Sequence, residues 1–176
     1  MSARSGGLFV GRLVAEAGVG ILLDALDLYP GALVDVVGAG PEAARLRRHP
    51  HVRLLGRVAS EELRSRIQRC AYLVLPSLSH DAEPQALIMA FAEGVPVIAS
   101  RLAVFAELVE PGRNGLLFEP GSARELARRL AWAEAFPEKM RQMGECAQAD
   151  YQARFVADWS WQRLYGERRR QARPYP

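Results

Sequence analysis

An α/β fold built on a parallel sheet of about six strands is what three features of this 176-residue sequence predict. Short apolar runs alternate with helical patterns from residue 7 to about residue 134. The runs read as apolar on both faces, the mark of strands covered by helices on either side. Proline or serine stands where most of the helical patterns begin.

The elements follow in order. GLFVG, at 7–11, is a short buried strand, followed by a helical stretch from about 16 to 29. ALVDVVGAG is a second strand, and Pro41 opens the helix PEAARLRR. VRLLG, at 52–56, is the third, after which Ser60 caps SEELRSRIQRC. The capping box is partial, with Leu63 in its closing position and Glu61 and Glu62 suited to the positive end of the helix dipole. AYLVLPS is the fourth strand and is followed by a helix over 84–92. VPVIAS is the fifth strand and NGLLFEP a short sixth. Beyond Gly121 the pattern is wholly helical, over 122–134, from 137 to about 154 and from 159 to about 170. The whole reads as a Rossmann-like, doubly wound sheet with C-terminal helices. The expected organisation is a disordered 1–6, one domain over 7–165 and an arginine-rich tail over 166–176.

With 49% hydrophobic and 24% charged residues, the chain has the composition of a globular protein with one well-filled core. No run approaches the roughly 18 apolar residues of a membrane span, and MSARSGG lacks the apolar heart of a signal peptide. No membrane span and a cytoplasmic location are therefore expected. Cys70 and Cys146 lie far apart in no metal-type spacing and read as buried or incidental thiols, so no metal and no cofactor is expected. Lys139 is the one lysine among 23 basic residues, which points to codon bias. The basic residues are scattered among acids, and the GERRRQAR cluster reads as a solvated tail, so no nucleic-acid partner is expected.

In open α/β sheets ligands sit beyond the carboxyl ends of the strands. The loops to inspect are GRLVAEAG, GAGP, GRVAS, PSLSHDAEP and SRLAVFAE. GAGP follows a strand and opens a helix, as a phosphate cradle would, but lacks a third glycine, and Pro41 removes a donor. A tight turn is the better reading. In GRL, Arg12 follows Gly11 at a strand's end and can swing a fork of donors over the sheet edge toward a diphosphate. The alternative is a surface arginine pairing with Glu16. In HDAEPQALIMAFAEGVPVIAS, Pro84 suits the first turn of a helix and leaves the amides of Gln85, Ala86 and Leu87 for an anion. Asp81 lies just ahead, and the alternative there is that it caps the helix. His49 and His51 read as exposed residues of an ordinary loop, while His80 lies next to the site.

The ordered set LFVGRLVAEAGVGILLDAL, VVGAGPEAARL, VRLLGRVASEEL, LVLPSLSHDAEPQALIMAFAEGVPVIAS and AELVEPGRNGLLFEPGSARELARRL resembles a known domain. It is the C-terminal, nucleotide-sugar-binding domain of the retaining GT-B glycosyltransferases of family 4 (group 1). FVADWSWQRLYGE resembles the closing helix of that family, so the likeness runs from about residue 7 to 165. The resemblance implies a UDP- or GDP-hexose donor, with no bound metal. It places the base against the backbone at Arg57 and Val58, and the donor phosphates on Arg12 with help from the amides of Ala86 and Leu87. It also implies an acidic pair separated by seven residues, one member toward the sugar hydroxyls and the other toward the ribose. Sugar selection falls on side chains around Asp81 and Gln85, and Arg12 and Asp81 are the catalytic candidates.

The sequence departs from that pattern at several points. Counting back from Gly94, the acidic pair falls on Asp81 and Met89. Met89 offers at best a feeble acceptor, which forfeits roughly 1.5–3 kcal/mol of charge-assisted hydrogen bonding, on the order of ten- to hundredfold in affinity. The lysine common five residues after the arginine is Ala17. The sequence has no counterpart of the family's N-terminal domain, with its acceptor site and catalytic histidine. The partner expected besides the donor is therefore an acceptor domain on another chain, or a second copy meeting through the closing helix with Trp159, Trp161 and Tyr165. Activity of this chain alone is not expected. The alternative function is a degenerate nucleotide-binding or protein-interaction module.

Overall fold

The computed structural model describes residues 4–156. Six strands, β1 (Gly7–Val10), β2 (Val34–Val37), β3 (Val52–Gly56), β4 (Tyr72–Leu75), β5 (Val97–Ser100) and β6 (Gly115–Phe118), form one sheet. Every neighbouring pair is parallel, in the order β3-β2-β1-β4-β5-β6. The chain starts in the middle of the sheet, winds outward through β2 and β3, then returns to the far side of β1 and winds outward again. That reversal opens a crevice between the carboxyl ends of β1 and β4.

The strands are short, and all but the edge strand β3 are mostly buried because both faces are covered. Alternate side chains serve opposite faces. Phe9, Val36, Tyr72, Val74, Ile98 and Phe118 enter one core, against α1 (Val19–Leu28), α2 (Ala43–Arg48) and α6 (Ala123–Ala135). Leu8, Leu73, Leu75, Val97, Ala99 and Leu117 enter the other, against α3 (Ser60–Arg69), α4 (Gln85–Ala92) and α5 (Ala103–Ala106). The last described helix, α7 (Pro137–Tyr151), belongs to both: Met140 and Met143 lie in the first core and Ala147 in the second. Between them Gly144 meets the Gly94 carbonyl and Pro96, just ahead of β5, so α7 crosses under the amino edge of the sheet.

Several helix boundaries differ from expectation for local reasons. The stretch expected over 16–29 divides at Gly18, whose φ of 80° ends a 3-10 turn (Ala15–Ala17) before α1 begins. Ser60 is the first residue of α3 and not its cap. The carbonyl of Ala59 already accepts the Leu63 N–H at 2.9 Å, so the helix starts one residue earlier than a serine cap requires. Pro84 stands at the cap of α4, one position before the first helical turn. Ser122 does cap α6, its hydroxyl accepting the Glu125 N–H at 3.2 Å. After α7 the chain widens into a π-helical turn, Gln152–Val156. The helix expected from 159, with Trp159, Trp161 and Tyr165, and the tail from 166 lie outside the described residues.

Before β1 the Arg4 guanidinium donates to the carbonyls of Glu93 (2.8 Å) and Gly94 at the end of α4, and its Nε to Gln68 (3.1 Å). Ser5 N–H donates to the Arg69 carbonyl at 3.2 Å. Cys70 is buried, and desolvation pushes its thiol up to about 12. Cys146 is half-buried and both cysteines are free. His49 and His51 are not exposed: both are half-buried, and His49 Nε2 meets Asp27 Oδ1 at 3.1 Å because the loop before β3 folds back against the end of α1. Among the described residues no helix is long and apolar enough to cross a membrane, and no group of three acids, histidines or cysteines gathers as a metal site.

Candidate functional site

The loop leaving β1 is pinned on both sides of Arg12. Gly11 N–H donates to the Val37 carbonyl at 3.1 Å, and Leu13 N–H to the Ala39 carbonyl at 3.0 Å. The Leu13 carbonyl in turn accepts the Glu42 N–H at 2.9 Å, and its side chain is fully buried. Arg12 itself is exposed and has no hydrogen bond or ion pair to any described residue. The alternative of an Arg12–Glu16 pair is therefore not what the chain adopts. GAGP is a tight turn packed against this loop: a side chain on Gly38 would overlap the Gly11 carbonyl, and the Gly38 N–H is committed to Gly56 at 2.9 Å.

The loop leaving β4 is stitched to the one leaving β1. Leu78 N–H and Ser77 Oγ both donate to the Glu16 carbonyl, at 2.8 and 3.3 Å. Gly18 packs so closely on Pro76 that a Cβ would overlap its carbonyl oxygen. Farther along, the Ser77 hydroxyl accepts the Ser79 N–H and the Ser79 hydroxyl accepts the Asp81 N–H, each at 3.2 Å. This serine ladder shapes the approach to α4, and no residue pattern singled it out beforehand.

The first amide to close a turn of α4 is that of Ile88, donating to the Pro84 carbonyl at 2.9 Å. The amides of Gln85, Ala86 and Leu87 precede it and have no intrahelical acceptor. Pro84 and Leu87 are buried and anchor the helix start, while Gln85 is exposed and Ala86 half-buried. No side chain caps α4, so Asp81 is not its cap; its carboxylate is exposed with no partner among the described residues. Met89 is half-buried against the second core, and Ala17 packs in the same way against the first.

Gly11 and Arg12 follow β1, and Asp81, Gln85, Ala86 and Leu87 follow its neighbour β4, so all six belong to the carboxyl side of the β1/β4 reversal. Arg57 and Val58 follow β3 at the same carboxyl edge, two strands away on the other side of β1. Arg57 is exposed, Val58 packs on the second core, and His80 is an exposed residue of the β4 loop. A hollow of ≈ 800 Å³ lies instead at the amino edge, bounded by Gly7, Leu33, Asp35, Arg53, Arg66 and Glu134. Its arginines are engaged: Arg53 and Arg66 with Asp35, and Arg69 with the Ser65 hydroxyl at 2.8 Å.

The decisive match spans nearly the whole described domain: residues 7–150 fit the model of the family described as glycosyl transferases group 1. The chain belongs to the group 1 glycosyltransferases. The GDP-mannose-dependent alpha-mannosyltransferase of Corynebacterium glutamicum is 33% identical over 157 residues, covering 89% of this chain and 36% of that protein. Among solved structures, Anabaena HepE in complex with UDP-glucose superposes with a TM-score of 0.75 at 28% identity, over 86% of this glycosyltransferase chain and 45% of that one. Sucrose-phosphate synthase of Thermosynechococcus elongatus gives 0.79 at 27% identity, over 97% and 46%. The chain therefore spans less than half the length of each of these relatives, and the sheet is that of the GT-B C-terminal domain.

Proposed function

We propose that this domain binds a nucleoside-diphosphate hexose along the carboxyl edge of its sheet and serves as the donor half of a hexosyl transfer. The observation that carries the reading is that an unpaired arginine, Arg12, follows β1 while three amides of α4 without an intrahelical acceptor follow its neighbour β4, the two loops being joined through the Glu16 carbonyl. Two such features together favour a diphosphate, because each supplies donors and positive potential to oxygen anions. HepE was solved with UDP-glucose, and the mannosyltransferase is named for GDP-mannose, which supports the ligand class without fixing its base.

In this reading the base lies by the Arg57–Val58 backbone, the diphosphate between Arg12 and the amides of Gln85, Ala86 and Leu87, and the hexose toward Asp81. Four strand spacings of about 4.8 Å separate β3 from β5, an edge of about 19 Å, long enough for an extended sugar nucleotide. Catalysis rests on position and on charge. The guanidinium and the amides stabilise the negative charge that grows on the leaving diphosphate as the glycosidic bond breaks. The Asp81 carboxylate accepts hydrogen bonds from sugar hydroxyls and holds the anomeric carbon over the crevice. Retention of the anomeric configuration follows from the resemblance to family 4. The acceptor is assigned to no described residue, and turnover is expected only with an acceptor-binding domain present.

A second reading, a nucleotide-binding or interaction module without turnover, is favoured by Met89 and Ala17, whose side chains are occupied with packing. Titration calorimetry with UDP, GDP, UDP-glucose and GDP-mannose separates the two. The donor reading expects binding tighter than about 1 mM that weakens at least about tenfold in Arg12→Ala. No heat with any of the four ligands overturns it.

A further inference from the structure

One loop at the carboxyl edge has no part in the site described so far: SRLAVFAE, after β5. Its Arg101 is exposed and has no hydrogen bond or ion pair through its side chain to any described residue. Its backbone, by contrast, is fixed. Arg101 N–H donates to the Phe118 carbonyl at 2.8 Å, which ties it to the end of β6, and Ser100 Oγ donates to the Leu75 carbonyl at 3.4 Å, which ties the end of β5 to β4. Leu102 and Phe105 are buried just beyond it.

Two facts fix where this residue stands. Leu102 N–H donates to the Ser100 carbonyl at 2.7 Å, closing a three-residue turn with Arg101 at its apex. No non-glycine residue among those described has a positive φ, so the turn is the inverse, unstrained form. Along β5, Val97 and Ala99 face the second core and Ile98 the first. The alternation ends at the turn, because Leu102 enters the second core with Val97 and Ala99, and Arg101 stands exposed at the turn's apex beyond the carboxyl end of β5.

From these we infer that Arg101 is a second phosphate-binding cation, clasping the diphosphate from the side opposite Arg12 and replacing the positive charge missing at Ala17. The inference rests on the donor reading above. In the sheet order, β1 and β5 flank β4, so the ends that carry the two arginines stand about 10 Å apart, two strand spacings. A diphosphate above the end of β4 lies between two guanidinium groups on fixed backbones. Of its two phosphates the β-phosphate is nearer to β5, since the base lies toward β3. An arginine held at a turn apex without a carboxylate partner adds little to fold stability, so its charge is available to a ligand.

The test compares wild type, Arg12→Ala, Arg101→Gln and Arg101→Lys by calorimetry at low salt. The ligands are UDP and GDP, each compared with its monophosphate, UMP or GMP. Arg101→Gln keeps most of the stem and removes only the charge, so the fold is retained, and Arg47→Ala on α2 serves as a remote control. The expected result is diphosphate binding about tenfold weaker in Arg101→Gln and within about threefold of wild type in Arg101→Lys. Monophosphate binding and the Arg47→Ala control are expected to stay within about twofold of wild type. Diphosphate binding unchanged in Arg101→Gln while Arg12→Ala loses it overturns the role of Arg101 and leaves the donor reading standing. Equal losses for diphosphate and monophosphate also overturn it, since they place Arg101 away from the β-phosphate. No nucleotide binding by the wild type overturns both.

Discussion

At the amino edge of the sheet Arg53 donates to both oxygens of Asp35, at 2.9 and 2.6 Å, and Arg66 adds a second cation to the same carboxylate. Under β6, Arg113 donates to both oxygens of Asp150 at 2.6 and 2.5 Å, and Asn114 joins at 2.7 Å. Tyr72 at the foot of β4 donates to Glu134 at 2.6 Å, and burial followed by that carboxylate drives its phenol well above the usual range. At the carboxyl edge the pattern reverses. Arg12, Arg57 and Arg101 are exposed and unpaired among the described residues, and Asp81 is free as well. The contrast separates two uses of charge. Paired groups at the amino edge fix helices to strands, while groups at the carboxyl edge forgo exposed pairs worth about 0–1 kcal/mol each.

The largest expected effect breaks the carboxyl edge itself. Gly18→Val puts branched carbons into the Pro76 carbonyl at a residue with φ of 80°, so the β1 and β4 loops must separate. Combining left-handed strain with overpacking, the loss is about 3 kcal/mol in urea denaturation. Nucleotide binding is lost with it even in protein that remains folded. A loss under about 1 kcal/mol, inside the range of ordinary surface changes, shows that this contact does not shape the crevice.

Asp150→Ala is next and strikes the opposite edge. It leaves Arg113 and the buried Asn114 without their shared acceptor, for a loss of about 2–3 kcal/mol. Nucleotide affinity is expected to stay within about twofold of wild type, since the change lies at the far end of the strands. Acid sharpens the comparison. Burial opposes the charge of Asp150, but the hydrogen bonds from Arg113 and Asn114 outweigh it and hold the carboxyl below its ordinary value. A lowered folded pKa means the unfolded chain binds the proton more readily. The stabilisation is complete above the unfolded value of about 3.9 and is lost as pH falls through the folded one. The stability gap between wild type and Asp150→Ala therefore narrows below about pH 4. A constant gap down to pH 2.5 discards this assignment.

How far the sequence announced these two edges also differs. The strands were legible because burial on both faces leaves unbroken apolar runs such as YLVL and GLLF, and their parallel order follows from the helices between them. Arg12, Asp81 and the start of α4 were legible because a strand's end and a proline locate them directly. The cap of α3 was misplaced by one residue because the helix opens from Ala59, which has no side-chain acceptor, and takes Ser60 into its first turn. His49 was misjudged because its partner, Asp27, is 22 residues away, and sequence spacing carries no trace of that contact. The Arg113–Asp150 clamp, spanning 37 residues, was invisible for the same reason. Arg101 lay in a flagged loop, but its relation to Arg12 depends on strand order, which the sequence shows only through topology.

The smallest effect, and the one that most sharpens the role of the carboxyl edge, is a gain. Met89→Glu combined with Ala17→Lys restores a carboxylate toward the ribose and an ammonium toward the diphosphate. Both positions are half-buried against a core, so neither change is free. The glutamate exchanges apolar packing for a partly desolvated charge, a cost of about 1–2 kcal/mol in stability. The lysine can run its stem along the first core and place its head in water, at little cost. Affinity for the bound nucleoside diphosphate is expected to rise at least about tenfold, or about 1.4 kcal/mol. The single changes divide the gain: Ala17→Lys helps any diphosphate, whereas Met89→Glu helps only ligands that keep both ribose hydroxyls, so the 2′-deoxy nucleotide separates them. If the deoxy nucleotide benefits equally from Met89→Glu, that side chain does not reach the ribose. If neither single change helps, the register that aligns Asp81 and Met89 with the acidic pair is wrong, and the ligand lies elsewhere along the edge.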